Sequence, residues 1–220
     1  IGTNALGAAT TACLNIAIGE LALGAGTLAC GGSGQAEGNI AIGESALTAM
    51  TTGSNNIGIG LTSGDALTTG ACNIAIGENA LGGSLTGSQN IAIGNLAMGV
   101  AAVTAVDNIA IGQAAMDAMI SGTLNVSIGK NTMGASICGC RNVAIGLCAM
   151  GQGGGTLAAN AQRFNVAIGD YALTALTCGC DNISIGRDTS VAMTIAVNNI
   201  ALGQNAMLGA TIPIQNIAIG

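Results

Sequence analysis

The chain has 220 residues, and half are hydrophobic, yet it has one Phe, one Tyr, no Trp and 37 glycines. That excludes an ordinary globular core filled by large side chains. Ten acidic and four basic residues leave a net charge of −6, and with no His the balance argues against nucleic-acid binding and against His-based catalysis.

In chain order, one phrase, Asn-Ile-Ala-Ile-Gly, keeps returning. A partial copy, Ile1-Gly2, opens the chain and Asn15–Gly19 follows it. An eight-residue insertion, 31–38, delays the next copy to Asn39. From there copies or close variants begin at Asn56, Asn73, Asn90, Asn108, Asn125 and Asn142. A second insertion, 151–164, precedes Asn165, Asn182, Asn199 and Asn216. Outside the insertions the spacing is 17 residues, once 18. A fixed period this short predicts a solenoid: all-β, parallel, about twelve 17-residue coils in one continuous array over 1–220. Both ends fall inside the phrase, so the chain reads as a window of a longer protein.

Within a coil, Asn is position 1. Ile, Val or Leu at positions 2 and 4 flank Ala, Gly or Ser at position 3, an alternation that predicts a strand. Gly at position 5 ends it at a corner that needs positive φ or lacks room for a Cβ. Ala and then Leu or Met follow at positions 8 and 9, as in Ala22-Leu23 and Ala149-Met150. A polar return such as Thr51-Thr52-Gly53-Ser54 closes the coil. Glycine frequency and β-branched pairs favour stacked strands over helix. The large residues at 2, 4 and 9 are expected to fill the lumen. Position 3 would then face outward, and its restriction to small residues has two readings: crowding at the coil corner, or a strip (Ala17, Ala41, Ala75, Ala92, Ala110) where a second chain packs, three strips meeting on an axis.

Charge keeps to corners and turns: Glu20, Glu44, Glu78, Lys130, Asp170 and Arg187 all stand at position 6.

The phrase Asn-x-Ala-Ile-Gly-x-x-Ala-Leu with a Thr-Thr-Gly-Ser-Asn return, best seen in Asn39–Asn55, resembles the head repeats of YadA-type trimeric autotransporter adhesins. It is closest to the 17-residue variant of phage and large-virus tail-fibre-like proteins. The resemblance implies a left-handed β-roll, a homotrimer, an extracellular, cell-surface or virion-surface setting, and attachment to a cell-surface receptor or glycan.

Eight cysteines include Cys13 and Cys30, 17 residues apart and expected to stack within disulfide reach. Cys138-Gly-Cys140 and Cys178-Gly-Cys180 share a phase two coils apart, beyond that reach, so each is left to pair locally, pair with another chain or stay reduced. Their spacing and the lack of His make a metal site the weakest reading, and no cofactor is expected. Glu20 and Glu44 stack at corners without a cleft, so they read as solvated rather than as a glycosidase pair. Asn125-Val-Ser and Asn182-Ile-Ser match the glycosylation pattern but lie in the repeated ladder. Arg163 and Phe164, ending the second insertion, and Tyr171 just beyond are the candidate contact loop.

These features predict a structural and adhesive fibre segment without catalysis and without membrane insertion. The alternatives are a single-chain solenoid that stacks end to end into a filament and, lastly, an ice-binding solenoid, which the absence of a regular Thr-x-Thr file disfavours.

Overall fold

The structure, a computed structural model, describes residues 1–9, 13–26, 36–100, 104–152 and 162–220. The expected solenoid is present: the described residues contain strands and turns and no helix. Accordingly none forms a helix long and apolar enough to cross a membrane. The chain divides into two compact units, Ile1–Asp107 and Asn108–Gly220.

In the first unit the phrase forms β1 (Ile16–Ile18), β2 (Ile40–Ile42), β3 (Ile57–Ile59), β4 (Ile74–Ile76) and β5 (Ile91–Ile93). They pair in parallel and in register, so like stacks on like: Ile57 on Ile74, Gly58 on Ala75, Ile59 on Ile76. In the second unit the phrase forms β6 (Ile109–Ile111), β7 (Val126–Ile128), β8 (Val143–Ile145), β10 (Val166–Ile168), β12 (Ile183–Ile185), β14 (Ile200–Leu202) and β15 (Ile217–Ile219). These pair the same way. A shorter second sheet stacks β9 (Gln162–Arg163), β11 (Cys178–Cys180) and β13 (Ile195–Val197).

One expectation is reversed. Position 3 points inward: Ala41, Ala92 and Ala110 are fully buried, Ala75 nearly so and Ala17 largely. The isoleucines at 2 and 4 point out, with Ile16 48 % and Ile18 40 % exposed. Position 1 decides this. Asn56 Nδ2 donates to Asn39 Oδ1 at 3.0 Å and to the Gly70 carbonyl at 2.9 Å, while Asn56 N–H donates to the same Asn39 Oδ1 at 2.9 Å. The pattern repeats through Asn73 and Asn90, and from Asn125 to Asn199. An amide making all these bonds is worth far more inside, where an unpaired one would cost about 1–3 kcal/mol. Alternation then sends position 3 inward and positions 2 and 4 out.

The lumen is thin because position 9 fills it. Leu23, Leu47, Leu81, Met98, Met116, Met133, Met150 and Leu173 are fully or almost fully buried. Leu47 reaches the next rung so closely that a Cβ on Gly58 would lie 2.8 Å from its Cγ. At Gly58 even a methyl would therefore displace Leu47.

The corner glycine meets both expected demands at once. Gly43 has φ +135°, and a Cβ there would sit 2.4 Å from the Gly60 carbonyl oxygen one rung away. Three non-glycine sites per coil also adopt left-handed φ, as in Ser45, Leu47 and Asn55 at 57°, 50° and 57°. Each such conformation costs about 1 kcal/mol or more. It persists because it turns the N–H along the stack: Ser45 N donates to Glu20 O, Leu47 N to Ser63 O and Asn55 N to Glu37 O, at 2.8–2.9 Å.

The described ends of both expected insertions belong to the coils. Ala36–Gly38 are already in the coil frame, since Asn15 Nδ2 donates to Ala36 O at 2.8 Å and Glu37 bridges to Cys13. Gly151 and Gln152 likewise bond to neighbouring rungs, and Gln162 and Arg163 are strand. The rest of each insertion, 31–35 and 153–161, lies outside the described residues.

Candidate interaction surfaces

No cavity and no cluster of metal-ligating side chains occurs among the described residues. Function therefore has to be sought on the faces.

The first is the outer side of the phrase strands. Positions 2 and 4 build two columns of stacked aliphatic side chains, all isoleucine in β1–β5 and Ile, Val or Leu in β6–β15 along the phrase strands. No charged residue interrupts them; the nearest, Glu20, Glu44 and Glu78, sit past the corner glycine and are exposed. In the second unit Ile183 and Ile185 are 37 % and 39 % exposed. Sequence reasoning found this pattern but assigned it to the interior. The candidate strip Ala17, Ala41, Ala75, Ala92 and Ala110 lies inside the coil and is unavailable to a second chain. Ser127 and Ser184, also at position 3, likewise bond inward, to Thr132 O and Ser190 Oγ.

The second face is the polar return, where positions 14 and 16 point out around an inward position 15. In the first unit it presents Thr52, Thr69 and Thr86 in one column and Ser54, Ala71 and Ser88 in the other. Threonine thus recurs at one phase over three rungs, but the second column holds Ser, Ala and Ser, so no Thr-x-Thr file forms. At the neighbouring position 13 the hydroxyls are consumed within the stack: Thr51 and Thr68 Oγ1 donate to the next rung's carbonyl at 3.0 and 2.8 Å.

In the second unit this face carries cysteines. Cys138, Cys140, Cys178 and Cys180 are free thiols, so the local pairing considered for them is not formed. Cys140 bridges to Arg163, and Arg163 is in register with Cys180, so a whole rung separates the two Cys-Gly-Cys segments. Burial, then the hydrogen bond and negative charge of Asp181, push the Cys180 thiol above its ordinary value, and Arg163 offsets part of this. Cys13 forms a parallel bridge with Glu37 on the next rung; Cys30, its expected disulfide partner, lies outside the described residues.

The candidate contact loop separates into different elements. Arg163 is part of β9, and Phe164 follows it in left-handed conformation, 45 % exposed. The Arg141 guanidinium lies 5.4 Å from the centre of the Phe164 ring, a cation–π contact. Tyr171 stands beyond β10 in the corner turn after Gly169, half-exposed.

Asn125 and Asn182 are buried in the ladder, which removes them as glycosylation acceptors. Asp65 and Asp117 are the carboxylates with a raised pKa, both through desolvation and partly countered by backbone hydrogen bonds. Comparison with protein-family models, with curated proteins and with solved structures gave no match.

Proposed function

We propose that this chain is a structural segment of a fibre, joined to further copies of itself through the isoleucine columns. The observation that carries the reading is that continuous, charge-free, partly exposed apolar face. With rungs about 4.8 Å apart and the two columns about 7 Å apart, the strip covers roughly 170 Å² over the five rungs of the first unit and roughly 240 Å² over the seven of the second. A surface that repeats every rung is matched best by one with the same repeat, which is another copy of the chain. The resemblance to trimeric adhesin heads supports three copies, an extracellular or virion-surface setting, and attachment to a receptor or glycan as the role of the whole fibre.

Sedimentation tests it. The parent should run as a trimer. Ile57→Lys, Ile74→Glu and Ile91→Lys together place alternating, mutually attractive charges on the face. That variant should keep the parent's circular dichroism and fall to a monomer. A monomeric parent, or an oligomer unchanged in the variant, overturns the self-association. A dimeric parent overturns the three-fold count.

A further inference from the structure

Three successive rungs on the return face of the second unit hold chemistry that the rest of the chain lacks. Position 16 runs Cys140, Arg163, Cys180. Position 17 runs Arg141, Phe164, Asp181, all with left-handed φ. Position 14 adds Cys138 and Cys178, the latter exposed. Two of the chain's four basic residues, half of its eight cysteines and its one Phe are gathered here.

The outer rungs are copies with opposite charge at the end: Cys138-Gly139-Cys140-Arg141 and Cys178-Gly179-Cys180-Asp181. A two-fold axis along the Arg163 rung leaves each column facing itself and exchanges the outer rungs. Cys138 then faces Cys178 of the second copy and Cys140 faces its Cys180. Arg141 faces its Asp181, and Phe164 meets its own equivalent. Arg163 also meets its equivalent, but its long stem lets each guanidinium swing toward Asp181 of the other copy, one position and one rung away.

Within one chain these thiols are poorly placed to pair. The outer rungs are about 9.6 Å apart, against a disulfide Cα separation of about 4.4–6.8 Å. Cys138 and Cys140 are alternate residues of one segment with side chains directed outward, about 6.6 Å apart at the edge of that range.

We propose that this face docks a second copy of the chain with its rung order reversed, and that the facing thiols are joined covalently by exchange with a small-molecule disulfide. A thiolate of one copy attacks that reagent, forming a mixed disulfide and releasing one small thiol. The facing thiolate of the other copy attacks the mixed disulfide, forming the interchain S–S bond and releasing the second small thiol. Two protein thiols are oxidised and one small disulfide is reduced to two thiols, each interchain bond consuming one equivalent. The described positions of the three rungs cover only on the order of 150 Å². That is far below a stable interface, so the covalent bond is what makes the association last. The proposal does not depend on the isoleucine columns, which lie on the phrase strands.

The test uses the full chain with Cys72→Ser and Cys148→Ser, treated with glutathione disulfide and read on denaturing, non-reducing gels that dissolve every non-covalent oligomer. A covalent dimer should form, with peptide mapping joining Cys138 to Cys178 and Cys140 to Cys180. Arg141→Asp alone and Asp181→Arg alone each set like charges across the axis and should slow dimer formation about tenfold. The double exchange should restore it. Glutathione adducts or intrachain links without dimer would overturn the proposal. So would other linkages, single variants as fast as the parent, or a double exchange as slow as the singles.

Discussion

Replacing Asn73 by Ala probes the asparagine ladder where it is complete on both sides. Asn73 Nδ2 donates to Asn56 Oδ1 at 3.0 Å and to Gly87 O at 2.8 Å. Its Oδ1 accepts from Asn90 N–H at 3.0 Å and from Asn90 Nδ2 at 3.2 Å. Truncation removes four bonds. Asn56 Oδ1 keeps the Asn73 backbone N–H, but Asn90 N–H, one Asn90 amide proton and the Gly87 carbonyl lose partners in a buried setting. At about 1–3 kcal/mol for each stranded group, the cost is at least about 3–4 kcal/mol. In a stacked array the loss is felt first by neighbouring rungs. Hydrogen exchange should therefore reveal it at the Asn90 amide before any probe of the whole chain, with denaturant unfolding giving the total. Asn95→Ala, at an exposed corner contact with Glu78, should change stability by less than about 0.5 kcal/mol. A loss below about 1 kcal/mol for Asn73→Ala, or unchanged protection at Asn90, would refute the ladder as the element that orients the coil.

The facing of the strand predicts an inversion between neighbours. Ala75→Glu should bury a charge inside the lumen and cost several kcal/mol, while Ile76→Glu, directed outward, should cost about 1–2 kcal/mol; equal thermal shifts would contradict it. Asp65 and Asp117 bind protons more tightly folded than unfolded, so stability should rise as pH falls toward the carboxylate range and decline as pH rises through their raised values. Asp65→Asn should flatten that slope and raise stability at neutral pH, which denaturant midpoints across pH would detect.

The sequence alone determined everything that repeats along the chain. The 17-residue spacing set the stacking, β-branched residues around Ala set the strand, and Gly43 and its equivalents set the corner. These depend on local conformation and on translation, both written in the order of residues. Direction was another matter. Judged by size, Ile74 and Ile76 belong inside and Ala75 outside, and only the stacked structure reverses them. Asn73 needs two neighbouring rungs to satisfy its amide, and Leu47 of one coil fills the space that a side chain on Gly58 of the next would need. Register across the insertions was equally out of reach: residue counting does not show that Glu37, 24 positions on, is bridged to Cys13. A solenoid's interior is shared between consecutive coils, so what a side chain faces is settled by residues 17 positions away and not by its neighbours in sequence.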